Sequence, residues 1–327
     1  MRKKKIIAMP ATQIDLADED WKVVANGKEI RLWNPLSTTA STFTPPQDLP
    51  PRGNLWHEAR RAAPPAGCEW PLLKRLVTGS QMYVVTLQGK TTVAEAEALR
   101  AYHKGLRDAP PEMKMTSSMR WGVLCEPNGI ATAVHYFTRG QGKSEYFSDE
   151  VVQLRETGLL HNEEIKGFAA TPDGLLYILG EYGEWEKYAV VEIKSPYFKP
   201  FSHDEGMEVG ADEDGCDVLE LSWLMQVVFQ MKAARVETGY ILRWAPKKSH
   251  VFEVLMADVD RTGVWQNFLK YFSEMWMSDR DLGKKPRGTT LYNRFKKSLE
   301  ELHANVAMSM VVIDSIAHAG ASNDFEE

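Results

Sequence analysis

Two short stretches of the sequence decide the fold: Thr171-Pro172-Asp173-Gly174-Leu175 and Val190-Val191-Glu192-Ile193-Lys194-Ser195-Pro196. The second stretch has the apolar run and the flanking turn residue of a buried β-strand. Side chains two residues apart on a strand point to the same face. Glu192 and Lys194 therefore lie side by side, while Val191 and Ile193 face a core. We expect the fold to be built around this strand.

Asp173 stands at the head of the preceding strand, and the Gly- and charge-rich segment 180–187 between the two strands predicts a hairpin. Strand pairing would bring Asp173 toward Glu192. Two carboxylates and a backbone carbonyl oxygen suit Mg²⁺ or Mn²⁺, and an adjacent Lys194 can orient or deprotonate a water molecule. This set predicts metal-assisted phosphodiester hydrolysis. The alternative is a solvated Glu192–Lys194 ion pair and an ordinary turn at Asp173.

Apolar periodicity predicts regular elements on both sides of these stretches. Strands are predicted at Val151–Arg155, Gly167–Ala170, Leu175–Leu179, Tyr188–Lys194, Tyr240–Trp244 and Val251–Ala257. Helices are predicted near Thr92–Leu106, from about Met119 to Phe137, at Ser222–Val236 with Ser222 as the N-cap, at Val264–Met277 and at Leu291–Ala307. This order predicts an α/β (α+β) layer fold.

The composition excludes several classes of protein. The chain has 327 residues, 39 Lys and Arg against 45 Asp and Glu, a net charge of −6 and 43% hydrophobic residues, which excludes a disordered, collagenous or disulfide-rich chain. Cys68, Cys125 and Cys216 form no CxxC pair and are expected to be free thiols in a reducing compartment. No apolar run reaches about 18 residues, and Pro10 and Asp15 interrupt any signal peptide. We expect a soluble intracellular protein without a membrane partner.

Three regions are predicted along the chain. Residues 1–69 are a Pro-rich extension that packs on or near the core, residues 70–280 are the catalytic domain, and residues 281–327 are a basic helix followed by a flexible acidic tail. Six positive charges without an intervening acid, which begin with Lys284, Lys285 and Arg287, are expected to follow a phosphate backbone. The alternative is a solvated helix face.

The paired motifs resemble a known nuclease core. Pro172-Asp173 followed by Glu192-Ile193-Lys194 resembles the PD-(D/E)XK core, and more narrowly the YqaJ / lambda-exonuclease family of viral recombination nucleases. Three further segments match that family in order, so that the resemblance extends from about Trp70 to Ala257. They are Met119-Arg120-Trp121-Gly122 with Glu126, Ser222-Trp223-Leu224-Met225-Gln226, and Trp70 with Leu76-Val77-Thr78-Gly79-Ser80. The resemblance implies a restriction-endonuclease-like core with a mixed central β-sheet flanked by helices.

The resemblance also implies a role for each matching residue. Asp173 and Glu192 would bind the metal ions together with the Ile193 carbonyl oxygen. Glu126 would complete the metal site directly or through water. Lys194 would position the attacking water, and Gln226 would hold that water or the lysine. Contacts with DNA would come from Ser80, Arg75, Lys74 and Arg120, together with Lys284, Lys285 and Arg287.

These assignments have structural alternatives and departures from the family pattern. Glu126 before Pro127 could mark a helix start. Gln226 could be an exposed helix residue, and Ser80 and Arg75 ordinary turn residues, while Arg120 could be structural. The family often has a second Gln two residues after the first. That place is taken here by Val228, whereas Gln230 falls one turn after Gln226.

The resemblance implies a Mg²⁺-dependent exodeoxyribonuclease with two metal ions, for which Mn²⁺ can substitute. It would digest linear double-stranded DNA from its ends, 5′ to 3′, releasing 5′-mononucleotides and leaving 3′ overhangs. The resemblance implies a single-strand annealing protein as the partner and is compatible with a ring-shaped homotrimer. A viral source would place the protein in the host cytoplasm or nucleus. The alternatives are an endonuclease or a single-strand or RNA nuclease on the same core, and a noncatalytic DNA-binding protein.

Overall fold

The structure is a computed structural model. It describes residues 73, 75–89, 91–108, 117–139, 152–155, 159–161, 167–180, 182, 184–196, 219–245, 248–278 and 289–315, preceded by three short N-terminal strands. Lys74, Lys284, Lys285 and Arg287, most of the Pro-rich extension and the acidic tail lie outside the described residues.

Twelve strands and seven α-helices are described. The strands are β1 (Ile14–Asp15), β2 (Trp21–Ala25), β3 (Lys28–Leu32), β4 (Val77–Thr78), β5 (Val152–Arg155), β6 (Leu160–His161), β7 (Phe168–Ala170), β8 (Gly174–Leu179), β9 (Trp185–Lys194), β10 (Thr238–Arg243), β11 (Lys248–Leu255) and β12 (Val311–Asp314). The helices are α1 (Met82–Val85), α2 (Val93–His103), α3 (Ser117–Arg139), α4 (Leu221–Ala234), α5 (Met256–Thr262), α6 (Val264–Tyr271) and α7 (Thr290–Ala307). A 3₁₀ turn at Gly79–Gln81 precedes α1, and a π-helical turn at Phe272–Trp276 continues α6.

The central sheet has six strands in the order β12-β11-β10-β9-β8-β5. Strands β9 and β10 are parallel, and every other neighbouring pair in this sheet is antiparallel. Two three-stranded sheets, β4-β7-β6 and β1-β2-β3, accompany it. Parallel neighbours need a crossover connection, and α4 supplies it between β9 and β10. Helix α4 is thereby laid across one face of the strand that carries Glu192.

Helices cover both faces of the central strands. Val190 on β9 packs in one apolar cluster with Leu224 and other buried residues of α4. Val191 and Ile193, which alternate with it, pack in a second cluster with Phe137 of α3. The predicted alternation along β9 is therefore confirmed, and Glu192 points to the α4 side of the sheet. The predicted fold class, a mixed sheet flanked by helices, is also confirmed.

Most of the predicted helices and strands end within a few residues of the observed ones. The structure adds β4, β6, β12, α1 and α5, which are short elements, and two of the N-terminal strands, β2 and β3, that pair with each other. The prediction of Ser222 as an N-cap is wrong. Helix α4 begins after Glu220, whose backbone is extended, and the Ser222 hydroxyl donates to Glu220 Oε2 at 3.1 Å.

Pro127 lies inside α3 and not at its first turn. The interpretation of Glu126-Pro127 as a helix start is therefore wrong. A proline in a helix interior removes one backbone hydrogen bond, and this cost is offset here by burial of α3 against the sheet. Glu126 is thus carried on a long helix whose buried side faces β9.

Gly129 allows α3 to approach β9 at the residue between Glu192 and Lys194. A Cβ atom at this position would overlap Cγ2 of Ile193, which is a short branched side chain with little freedom to move away. We therefore expect Gly129→Ala to lower the free energy of unfolding by about 1–3 kcal/mol through overpacking. Urea denaturation measures this. Gly122→Ala is a matched control on the same helix, because a Cβ atom there meets no atom within 4 Å. Equal stability of the two variants would contradict the close approach.

None of the helices in the described part of the chain is long and apolar enough to cross a membrane.

Candidate active site

The β8–β9 hairpin brings Asp173 to the end of β9. Gly174 pairs with Val191, so Asp173 stands beside the next residues of β9. The backbone N–H of Ile193 donates to Asp173 Oδ2 at 2.7 Å. This bond fixes the carboxylate of Asp173 at the peptide that separates Glu192 from Lys194.

Glu192 and Lys194 form a short ion pair on the α4 side of the sheet. Lys194 Nζ lies 2.6 Å from Glu192 Oε1. The Glu192 residue is only 3% exposed, and a buried carboxylate requires such partners. The ion pair is therefore largely buried and is not a solvated surface pair.

Gln226 connects the two charged residues. Its Nε2 donates to Glu192 Oε1 at 2.6 Å, and its Oε1 accepts from Lys194 Nζ at 3.1 Å. Gln226 stands on the face of α4 that turns toward β9, so the alternative of an exposed helix residue is wrong. The amide holds both ends of the ion pair in one arrangement.

Gln230 reaches the same carboxylate, although no sequence motif assigned it to the site. Its Nε2 donates to Glu192 Oε2 at 2.5 Å, and the residue is 1% exposed. A signal for it was present in the sequence, because residues four apart on a helix share a face. Gln226 and Gln230 are such a pair.

A groove of about 750 Å³ opens at this end of the central strands. Its wall includes Glu126 from α3, Ser80 from the 3₁₀ turn and the aromatic side chains of Tyr83 and Trp223. The remaining described lining residues are Thr78, Gly79, Gln88, Gly89, Thr91, Glu95, Gly122, Thr171, Asp173, Glu192, Ile193, Lys194, Ser195, Glu220, Ser222 and Gln226. The structure thus brings together the predicted metal-site and catalytic residues in one groove.

The groove is strongly acidic. Among its described lining residues the carboxylates are Glu95, Glu126, Asp173, Glu192 and Glu220, and the only cationic side chain is Lys194. A polyanion such as DNA would be repelled from this wall unless cations or basic segments of the chain offset the charge.

Burial and crowding of carboxylates perturb the pKa values at the centre of the groove. Burial, together with the nearby charges of Glu192 and Glu126, raises the pKa of Asp173 to about 8, although Lys194 and the Ile193 N–H act in the opposite direction. Burial lowers the pKa of Lys194, but the carboxylates of Glu192 and Asp173 outweigh this effect and raise the pKa above its ordinary value. Without a bound cation, these carboxylates favour the protonated form of Lys194, which donates hydrogen bonds.

The pKa of Asp173 predicts how stability depends on pH when divalent cations are removed by EDTA. The folded state holds the proton of Asp173 more tightly than the unfolded state. Protonation of Asp173 therefore contributes fully to the free energy of unfolding below about pH 4, and this contribution is lost as the pH rises to about 8. The loss is at most about 1.4 kcal/mol per pH unit. Asp173→Asn should therefore gain stability relative to the wild type over this range, as measured by urea denaturation. Asp260→Asn, whose side chain is 55% exposed, should keep the wild-type slope. Parallel curves for the wild type and Asp173→Asn would contradict the assignment.

The donor set of the groove fits Mg²⁺. Within the described ranges no three His, Cys, Asp or Glu side chains form a cage that could hold a metal by themselves. Mg²⁺ does not require one, because it is commonly held by one or two carboxylates and keeps several waters. Asp173 and Glu192 flank the Ile193 peptide, and a divalent cation would relieve the mutual repulsion that raises the pKa of Asp173.

The residues predicted to contact DNA are only partly accounted for. Ser80 lines the groove, whereas Arg75 is not among the lining residues and its backbone N–H donates to the His103 carbonyl oxygen at 3.1 Å. Arg120 lies on α3. Lys296, one of the six positive charges that begin with Lys284, forms an ion pair with Glu300 at 3.4 Å, as expected for a solvated helix face.

A buried histidine supports the turn that carries Ser80. Gln81 Oε1 accepts the backbone N–H of Thr78 at 2.9 Å and contacts His103 Nε2 at 3.1 Å. His103 Nδ1 accepts from Trp276 Nε1 at 3.1 Å, so the ring is neutral with its proton on Nε2. Burial lowers the pKa of His103 to about 3, which keeps the ring neutral in neutral solution. This chain of bonds ties the groove wall to the core.

These features define a mixed α/β protein with an acidic groove at the end of its central strands. No protein-family model matches the chain, and no curated protein sequence does. Among solved structures, the chain is similar to an alkaline exonuclease (LHK-Exo) from Laribacter hongkongensis, with 15% identity and a TM-score of 0.38 over 78% of this chain and 95% of that chain. LHK-Exo in complex with dAMP is similar at 17% identity and a TM-score of 0.37, with the same coverage.

Proposed function

We propose that this protein is a Mg²⁺-dependent exodeoxyribonuclease that digests linear double-stranded DNA. The observation that supports this most directly is the position of Asp173, the Ile193 peptide, Glu192 and Lys194 at one point in one groove. Two carboxylates that are this close lower stability unless a cation or proton compensates them, so a site of this kind has a functional reason to exist.

Asp173, Glu192 and the Ile193 carbonyl oxygen would hold the metal ions, and Glu126 on α3 would complete the site through a water molecule. Bound Mg²⁺, for which Mn²⁺ can substitute, would polarise the scissile phosphate and acidify a water molecule. The acidic wall then becomes an advantage, because cations gathered there neutralise the charge that would otherwise repel DNA.

Lys194 would act on the attacking water and on the charge of the transition state. Its Nζ, 2.6 Å from Glu192 Oε1, would orient the water by donating a hydrogen bond. Gln226 holds the Lys194 ammonium group through an accepted bond of 3.1 Å. A donor that is already oriented needs no reorganisation when charge develops on the phosphate, and this is the main source of electrostatic catalysis.

The finer properties of the reaction come from the motif resemblance to the YqaJ / lambda-exonuclease family. By that resemblance, the enzyme works 5′ to 3′, releases 5′-mononucleotides and leaves 3′ overhangs on which a single-strand annealing protein acts. Ser80, with Arg75 or Lys74, would contact the 5′ phosphate. Arg120 on α3 and the segment with Lys284, Lys285 and Arg287 would supply positive charge that offsets the negative charge of the groove wall along the DNA. A homotrimer around the duplex is the proposed assembly.

Degradation of linear duplex DNA labelled at the 5′ or the 3′ end tests this proposal. The reactions contain Mg²⁺ or EDTA, and closed circular DNA is incubated in parallel. We expect metal-dependent early release of the 5′ label as mononucleotide and an intact circle. Cutting of the circle would make the protein an endonuclease. Cleavage of single strands or RNA in preference to duplex DNA would change the substrate class, and absence of cleavage in both Mg²⁺ and Mn²⁺ would leave a DNA-binding protein.

A further inference from the structure

Gln230 is a second amide on the catalytic groove's most buried carboxylate. It lies one helical turn after Gln226 on α4, and its side chain reaches Glu192 Oε2 at 2.5 Å. The residue is 1% exposed. A fully buried amide on a helix that is otherwise packed with apolar residues requires a specific partner, and Glu192 is that partner.

The two amides hold opposite oxygens of the same carboxylate. Gln226 Nε2 and Lys194 Nζ donate to Glu192 Oε1, both at 2.6 Å, whereas Gln230 Nε2 donates to Oε2. Donors on one oxygen alone would leave the carboxylate free to turn about its last side-chain bond, because rotation about that bond has broad minima. Gln230 removes this freedom by fixing Oε2 on the interior side.

The burial of Gln230 has one cost to stability. Within the described part of the chain, its Oε1 is buried and has no hydrogen-bond partner. An unpartnered buried carbonyl oxygen lowers stability, whereas the bond from Nε2 to the Glu192 carboxylate raises it, and an apolar side chain would remove both effects. The gain that offsets this cost is the orientation of Glu192.

We infer that Gln230 is a positioning residue that sets the affinity of the groove for divalent cations by fixing the orientation of Glu192. The inference rests on the proposed function, since Glu192 is taken as a metal ligand. Residues that orient a metal ligand from behind typically contribute about tenfold to a hundredfold to metal affinity. Gln230 does not line the groove, so it acts on the metal through Glu192 and does not touch substrate.

The test compares Gln230→Met with the wild type by two measurements. Methionine keeps the length and volume of glutamine but cannot donate a hydrogen bond. The first measurement is calorimetric titration of the protein with Mn²⁺ in the absence of DNA. We expect Gln230→Met to bind Mn²⁺ about tenfold more weakly than the wild type. The second is the Mg²⁺ concentration that gives half-maximal cleavage, which should rise by the same factor while the rate at saturating Mg²⁺ stays close to that of the wild type.

A matched control separates this role from a loss of packing. Val227→Ala removes buried apolar volume from the same helix at a residue that faces β10, where it touches Gly239. It should lower stability and leave Mn²⁺ affinity unchanged. Gln230→Asn, whose shorter amide cannot reach Oε2, provides a second variant if Gln230→Met folds poorly. It should show the same weaker binding.

The outcomes distinguish this inference from the proposed function. Wild-type Mn²⁺ affinity in folded Gln230→Met and Gln230→Asn would overturn the inference and leave the nuclease proposal intact. Mn²⁺ binding by a wild-type protein that cleaves no nucleic acid would overturn the nuclease proposal, and the binding measurements would still decide the role of Gln230. A wild-type protein that binds no divalent cation would overturn both.

Discussion

Lys194→Met should lower the rate of DNA cleavage by about a hundredfold to a thousandfold while the protein stays folded. The Lys194 ammonium group is held 2.6 Å from Glu192 Oε1 and 3.1 Å from Gln226 Oε1, and it lines the groove. Methionine keeps most of the length of the side chain but removes the charge and every donor. The transition state then loses an oriented donor, while the buried Glu192 keeps the amide donors of Gln226 and Gln230.

Lys232→Met is the control for this change. Lys232 lies on α4 near its C-terminal end, where it pairs with Asp260 at 3.7 Å, and it is not among the lining residues of the groove. Loss of this charge should leave the rate within the range of the wild type. Both variants are compared in single-turnover cleavage of labelled linear duplex DNA. Full activity of Lys194→Met would remove the lysine from the mechanism.

The Glu192–Lys194 ion pair was predictable because its geometry is local. Side chains of a strand alternate with a period of two, so Glu192 and Lys194 share a face whatever the rest of the fold does. A hairpin returns the chain to itself within a few residues, and this placed Asp173 beside the same strand. Local periodicity and one turn were sufficient to define the centre of the groove.

The second amide was missed because its role depends on a contact between distant elements. Gln230 meets Glu192 only because α4 crosses from β9 to β10 with its Gln226–Gln230 face toward the sheet. In the family pattern the second Gln stands two residues after the first. Val228 occupies that position here and is fully buried in the apolar cluster of α4. Helical spacing favours Gln230, but the sequence alone does not show which helix face meets the strand.

The course of α3 was also set by non-local packing. Pro127 has the character of a helix start, yet α3 continues through it because the helix buries its apolar side against β9 and β10. Gly129 permits the approach to Ile193. The short edge strand β12 pairs with β11, and its residues Val311 and Val312 are exposed, so no alternation of buried residues marks it in the sequence. Tertiary contacts override local signals in each of these cases.

Glu192→Gln should reduce cleavage by about a thousandfold, because it removes a charged ligand of the proposed metal site and with it the several kcal/mol of charge stabilisation that a bound metal supplies. The change keeps the shape of the side chain but replaces an acceptor of three hydrogen bonds by an amide that faces Lys194, Gln226 and Gln230. It also removes one of the charges that raise the pKa of Asp173 and of Lys194, so both pKa values should fall.

The thermal stability of the variants distinguishes loss of metal binding from loss of chemistry. A ligand that binds only the folded state raises the melting temperature, so Mg²⁺ should stabilise the wild type and Lys194→Met but not Glu192→Gln. Glu253→Gln is the control. Glu253 lies on β11, accepts a hydrogen bond from the Tyr240 hydroxyl at 2.9 Å and is not among the lining residues of the groove. It should keep both cleavage and stabilisation by Mg²⁺. If Mg²⁺ raised the melting temperature of Glu192→Gln as much as that of the wild type, the metal would bind elsewhere and Glu192 would serve only to hold Lys194.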